Sequence, residues 1–222
     1  MQAREEILGR LKSAVKNENI DRPAKPILSE ITLKREQMIQ RFQSELSAKT
    51  GVLYKAGDQE DALRILLDIV KEEGLKSFAA SSEKIHGVDI KSLDSKNGFS
   101  VTFPEDLADR ETLREAAFAA DAGITSADFA VAETGTIGII FNQKHPRLLS
   151  IAPPLHIAIM SIKDLYPVYE NVMEMVFKNT KEIPSQFSFI TGPSATADIQ
   201  GIEFKGMHGP KKIFVIMIMD ES

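Results

Sequence analysis

The segment Thr191-Gly192-Pro193-Ser194-Ala195-Thr196-Ala197-Asp198 combines glycine with short hydroxyl side chains. Such a stretch lets backbone N–H groups converge on an anion without steric blockage. It follows the apolar run Phe187 to Ile190, which reads as a strand. Open α/β sheets commonly bind ligands beyond the carboxyl ends of their strands. The segment lacks the Gly-Lys-Ser/Thr ending of a P-loop, so nucleoside triphosphate hydrolysis is not indicated. A capped turn uses the same residue types as an anion cradle, and residue type alone leaves both open.

Ala132-Glu133-Thr134-Gly135-Thr136 is a second candidate. A carboxylate beside a turn between two strands can act as a base, a nucleophile or a partner for a hydroxyl, and it can equally be a solvated hairpin carboxylate. His208 lies among Gly206, Gly209 and Pro210, a fixed turn that could aim its imidazole into a cleft. Arg147, after His145 and Pro146, could clamp a carboxylate or phosphate, or simply form a surface ion pair. The remaining histidines, His86, His145 and His156, form no local pair at the two-, three- or four-residue spacing of a metal site. The expected site therefore has Glu133 and His208 as catalytic groups. Its ligand-binding set is Thr134, Gly135, Thr136, Arg147, Thr191, Gly192, Ser194, Thr196 and Asp198, with no metal. These residues are expected to line one pocket for a small anionic ligand, because the turns and the basic residue are complementary in charge and size.

The elements that must position these residues are readable in outline. Ile7, Leu8, Leu11, Ala14 and Val15 recur at helical spacing between Arg4 and Lys16, and Asp21 to Pro26 breaks the pattern with two prolines. A second helix carries Met38, Ile39, Phe42 and Leu46, so residues 1–50 read as an N-terminal helical appendage. From residue 51 to 222 the rhythm becomes α/β. Val52 to Tyr54 is a short strand, and Asp58 opens a helix with Leu63, Leu66, Ile69 and Val70 that Gly74 closes. Ser77 to Ala80 is the next strand, and the strand-helix-strand unit favours a parallel sheet. Asn97-Gly98 signals a tight turn before an alternating strand with Phe99, Val101 and Phe103. Asp109 to Ala119 is helical. Phe129 to Ala132 and Thr136 to Phe141 flank the Glu133 turn as a hairpin, which would bring antiparallel pairing into the sheet. Leu155 to Met160 and Ile213 to Met219 read as buried strands, and Lys163 to Lys178 as a helix. The fold class is α/β, one mixed-sheet domain.

Composition closes off several classes of function. The chain has 222 residues, 43% hydrophobic and 27% charged, with a net charge of -5 and scattered positive charges. A globular core is therefore expected, and no footprint for a nucleic-acid backbone is present. The amino terminus lacks the basic patch and apolar stretch of a secretory signal, and no apolar run reaches the roughly 20 residues of a membrane span. No membrane insertion and a cytoplasmic location are expected. There is no cysteine. Thiolate ligands are thus missing, so no iron–sulfur cluster is expected in this chain, and any cluster belongs to a partner.

Taken together, five segments resemble the signature of the LUD-domain family in its lactate utilization protein C (LutC/YkgG) branch. They are Ala132 to Thr136, Arg147 with Pro153, Ile190 to Ser194, Thr196 to Ile199, and His208-Gly209-Pro210. Two positions depart from the pattern. Ala195 stands where many relatives carry arginine, and Gln200 where glutamate is frequent, which removes a bidentate donor from the anion site. The resemblance implies a three-layer α/β fold similar to the ribose-phosphate isomerase, glucosamine-phosphate deaminase (NagB) and CoA-transferase group. It also implies a role as a non-cluster accessory subunit that works with iron–sulfur subunits in oxidising L-lactate to pyruvate. The alternative of a different class is a stand-alone enzyme acting on a phosphosugar, a CoA thioester or a folate-like substrate, with Glu133 as nucleophile or base.

Overall fold

The computed structural model describes residues 2–13, 33–142, 145–178, 184, 186–197 and 203–220. They fall into two compact units, Met1–Glu30 and Ile31–Ser222. In the first, helix α1 (Gln2–Ser13) carries an Arg10–Glu6 ion pair of 2.8 Å, and Ile7 and Leu8 are exposed. Ala14, Val15 and the proline-broken stretch Asp21 to Pro26 lie outside the described residues.

The second unit opens with α2 (Arg35–Ala48), β1 (Val52–Ala56), α3 (Gln59–Glu72) and β2 (Ser77–Ala80). A small hairpin, β3 (Lys84–Ile85) and β4 (Val88–Asp89), leads to α4 (Ser92–Asn97), β5 (Ser100–Thr102) and α5 (Arg110–Ala119). Then come β6 (Ala122–Ser126), β7 (Phe129–Val131), β8 (Thr136–Ile140), β9 (Leu155–Ser161), β10 (Leu165–Tyr166) and α6 (Tyr169–Phe177). The chain finishes with β11 (Phe187–Ile190), β12 (Ala195–Ala197), β13 (Glu203–Lys205) and β14 (Lys212–Ile218).

The central sheet has six strands in the order β1-β14-β9-β6-β2-β5, and all its pairs are parallel. A parallel sheet must be covered on both faces, because crossovers bring other elements onto them. Strands β9 and β14 are accordingly buried at almost every position. Their alternate side chains divide between two cores. Ile157, Ile159, Phe214 and Ile216 pack with Leu66, Ile69 and Val70 of α3, while Ala158, Met160, Val215 and Met217 pack with Ile39, Phe42 and Leu46 of α2. Burying each large side chain of this kind contributes roughly 1.5–3 kcal/mol. Helix α3 is set by its ends: the Asp58 carboxylate accepts from the Asp61 N–H at 2.8 Å, and Gly74 takes φ 66° after the last turn.

Four readings need correction. Antiparallel pairing does not enter the central sheet. It belongs to a separate four-stranded sheet, β10-β7-β8-β11, whose inner face (Ala130, Ile137, Leu165) joins the α2 core and whose outer face (Phe129, Val131) is covered by Val172 and Val176 of α6. The helix expected from Lys163 starts only at Tyr169, because Pro167 biases Tyr166 to extended backbone and Leu165-Tyr166 pair with Ala130-Val131. Asn97-Gly98 ends α4, with Gly98 in the left-handed region at φ 71°, and β5 then runs parallel to β2. Helix α2, read from sequence with the appendage, has Phe42 and Leu46 fully buried within the Ile31–Ser222 unit.

Candidate functional site

The turn between β7 and β8 is held at both ends. Ala132 N donates to the Tyr166 carbonyl at 2.8 Å and Glu133 N to the Pro167 carbonyl at 3.1 Å. Gly135 takes φ 63°, and a Cβ there would lie 2.2 Å from the Leu46 nitrogen, so the turn rests on the backbone of α2. Gly192 behaves similarly, with φ 86° and a hypothetical Cβ 2.6 Å from Lys49 Cβ. Both glycines are required by left-handed backbone and by contact with the same end of α2. Between the two turns runs a chain of hydroxyls: Thr136 Oγ1 lies 2.7 Å from Thr134 Oγ1 and 2.7 Å from Thr191 Oγ1. Thr136, the middle member, is buried, and the chain ties the two exposed threonines of the two turns to it.

Beyond Thr191 opens a cavity of about 240 Å³. Thr191, Gly192, Pro193 and Ser194 form one wall, His208, Gly209 and Pro210 another, and Ser150 and His156 also line it. The walls are joined by backbone bonds, Ser194 N to the Pro210 carbonyl at 2.8 Å and Gly206 N to the Ser194 carbonyl at 2.9 Å. Gly209 keeps them close, since a Cβ there would sit 3.1 Å from Ser194 Cβ. A second hollow of about 440 Å³ shares Ile151, His208 and Gly209 with this cavity and is bordered by the exposed Phe118 and Met207.

His156 is 1% exposed, on the face of β9 that looks toward α2 and the second sheet. Its Nε2 lies 2.8 Å from Thr125 Oγ1, while its Nδ1 is buried without a protein partner. Burial lowers its pKa to about 4, so the ring is neutral at pH 7. A neutral imidazole offers one donor and one acceptor. With Nε2 engaged by Thr125, the other ring nitrogen remains for a molecule in the cavity. Among the described residues the lining holds hydroxyls, two imidazoles and apolar groups, with no carboxylate, ammonium or guanidinium. It can therefore hold an oxygen-rich ligand through neutral hydrogen bonds.

Of the residues expected from sequence, Thr191, Gly192, Ser194 and His208 line this cavity, and Thr134 and Thr136 connect to it through Thr191. Gly135 supports the turn from beneath. Glu133 is half-buried at the same turn but is not part of the lining. Arg147 is exposed at the start of a short 3-10 turn, Arg147–Ser150, and its carbonyl accepts from Ser150 Oγ at 2.9 Å. Thus Ser150, rather than the guanidinium, reaches the cavity. Thr196 and Ala195 are exposed on β12, and Asp198 and Gln200 lie outside the described residues. His156 and Ser150 were missed. The signal for His156 was present: a histidine inside the apolar run Leu155 to Met160 must be buried and needs a partner. Among the described residues no group of three or more histidine, cysteine, aspartate or glutamate side chains is placed to hold a metal, and no helix is long and apolar enough to cross a membrane.

A family model described as the LUD domain matches residues 39–218. The chain is 28% identical over 171 residues to a lactate utilization protein C 1 of Bacillus mycoides, covering 75% of this chain and 73% of that one. It is 33% identical over 101 residues to an uncharacterized protein of Neisseria meningitidis serogroup B, covering 46% of this chain and 43% of that one. A lactate utilization protein B of Shouchella clausii is 34% identical over 99 residues, 42% of this chain and 21% of that one. The chain thus spans half or less of the length of several curated relatives it matches. A crystal structure of a DUF162 family protein from Deinococcus radiodurans superposes with a TM-score of 0.64 at 18% identity, over 84% of this chain and 99% of that one. That likeness establishes a shared fold.

Proposed function

We propose that this chain, which belongs to the LUD-domain family, serves lactate utilization as a subunit that holds a small anionic ligand and passes no electrons itself. The observation that carries this reading is the family match from residue 39 to 218, which includes the Gly192 and His208 turns that meet in one cavity and the Gly135 turn tied to it through Thr136 and Thr191. Relatives named lactate utilization protein C and lactate utilization protein B match parts of this chain, which supports placing it in the same process. With no cysteine, the sequence offers no thiolate to an iron–sulfur cluster. Oxidising lactate requires an electron acceptor, so iron–sulfur subunits are the partners this reading calls for. The ligand sits against Thr191, Ser194 and His208, held by hydroxyls and by the neutral His156 ring rather than by a guanidinium.

The test uses the intact chain in its own cell. Deleting its gene is expected to impair growth on L-lactate and not on glucose, and native affinity capture is expected to recover cysteine-rich iron–sulfur proteins. The purified chain alone is expected to be colourless and free of iron. Parental growth on L-lactate, or capture that recovers no redox protein, refutes the reading. Turnover of a phosphosugar, CoA thioester or folate by the isolated chain would replace it with a stand-alone enzyme.

A further inference from the structure

The central sheet has a point where its connections diverge. From β2 the chain moves outward to β5, and from β6 it moves the other way to β9, so the switch lies between the neighbours β2 and β6. Open parallel sheets bind ligands in the crevice outside the carboxyl ends of the strands at such a point. The residues that follow these ends, Ser81 and Ser82 after β2 and Asp128 after β6, line a cavity of about 140 Å³ that is separate from the one at Thr191. This volume is well under the roughly 300–1,000 Å³ of sites for drug-sized molecules and restricts the occupant to a small metabolite.

The polar side of the cavity is built. His86 and Gly87 both take positive φ, 47° and 84°, at the tip of the β3–β4 hairpin. Two consecutive left-handed residues define a type I′ turn, the tightest way to reverse a hairpin. That tip is fixed by the body of the protein: His86 Nε2 lies 3.3 Å from the Ala127 carbonyl and 3.0 Å from Ser126 Oγ. Asp128 Oδ2 accepts from Ile140 N at 2.6 Å, and burial raises this carboxyl above its ordinary range, with His145 and His86 opposing the shift. Two further groups are unsatisfied. Ser81 Oγ and His145 Nδ1 are buried without a protein partner, and Ser81 is only 6% exposed. Buried polar atoms are rarely left unpaired, so these two call for a partner in the cavity they line.

Among the same lining, Ile85, Ile139, Phe141 and Pro146 supply apolar surface, and the exposed Lys84 adds a cation. A small occupant that meets all three needs a carboxylate for Lys84, a hydroxyl for the Ser81, Asp128 and His145 groups, and a short alkyl part for the apolar surface. We infer that this second cavity, at the carboxyl ends of β2 and β6, is a binding site for a short hydroxycarboxylate. The site stands whether or not the chain serves lactate utilization, because its walls and the motif cavity are formed by different segments. Thr125 touches both, lining this cavity while its hydroxyl meets His156 of the other.

The experiment is calorimetric titration of the full chain with three probes that differ by one group each: L-lactate, propionate without the hydroxyl, and 1,2-propanediol without the carboxylate. L-lactate is expected to bind at least about tenfold more tightly than either of the others, the loss expected for a hydrogen bond to a charged group. Ser81→Ala removes an unpartnered hydroxyl, so it is expected to raise the melting temperature of the ligand-free chain by about 2–4 °C while weakening L-lactate binding about tenfold. Asp128→Asn and Lys84→Met are expected to weaken binding by a similar factor. Absence of L-lactate binding at 10 mM, equal binding of all three probes, or unchanged affinity in Ser81→Ala and Lys84→Met overturns the assignment. So does a loss confined to Ser194→Ala, which would put the ligand in the motif cavity. Ordered water alone in a structure soaked with L-lactate has the same consequence.

Discussion

Replacing His156 by glutamine tests whether the imidazole is held neutral inside the fold. Burial takes its pKa from the ordinary 6.5 to about 4. Between those values the unfolded chain binds a proton that the folded chain does not, so stability rises with pH across the window. The native state is unpenalised above pH 6.5, and it loses stability as pH falls from 6.5 toward 4. The full cost of the shift is about 3 kcal/mol, and the part expressed between pH 7.5 and pH 5 is about 2 kcal/mol. His156 is 1% exposed, so solvent screening gives no reason to discount this. Asp128 and Asp164, whose carboxyls are raised by burial, act in the opposite sense. Urea unfolding of both proteins at pH 7.5 and pH 5 removes them by difference. His156→Gln is expected to be less stable at pH 7.5, because it disturbs the Thr125 contact, yet to lose about 2 kcal/mol less than the parent on acidification. Proton NMR of the parent is expected to show a His156 ring that stays neutral between pH 8 and pH 5. Parallel losses in the two proteins, or a His156 resonance that titrates near 6.5, would refute the reasoning.

Gly135→Ala is expected to cost about 3 kcal/mol or more in urea unfolding, because positive φ adds to a Cβ 2.2 Å from the Leu46 nitrogen. Gly74→Ala, with similar φ and nothing within 4 Å, is expected to cost about 1–2 kcal/mol, and equal losses would mean that the α2 contact does not matter. Thr136→Val leaves the Thr134 and Thr191 hydroxyls without their shared partner and is expected to cost about 1–3 kcal/mol. Hydrogen exchange at Thr191 and Gly192 should quicken in that variant, and unchanged rates would separate the two turns. The Asp121 carboxylate accepts from Lys76 N, Ser77 N and Ser77 Oγ, which holds its pKa below the ordinary range, Lys76 first. Its contribution is therefore present above about pH 4 and is lost as pH falls further, so Asp121→Asn should flatten the acid limb of stability against pH.

Local signals in the sequence determined the elements whose physics is local. Helix α3 was legible from Asp58 to Gly74 because its cap, its apolar spacing and its terminating glycine all lie within one short stretch. The buried strands β9 and β14 were legible as unbroken apolar runs, as strands covered on both faces must be. Gly135 and Gly192 marked turns correctly because positive φ is a demand on one residue. What sequence could not decide was which surfaces meet. The hairpin β7–β8 has the same alternation whether it joins the central sheet or founds a second one, and only α6 covering its outer face settles that. Helix α2 has an amphipathic stripe in either setting, and packing against β1 and β14 places it in the α/β unit. Within the motif cavity the turns were foreseen; the burial of His156 was signalled by its apolar run, but its partner, Thr125 across a neighbouring strand, was not. The second cavity was not readable at all. Ser81, His86, Asp128 and His145 come from separate loops, after β2, in the β3–β4 hairpin, after β6 and after β8, and only the tertiary packing of these different sheets brings them to one cavity.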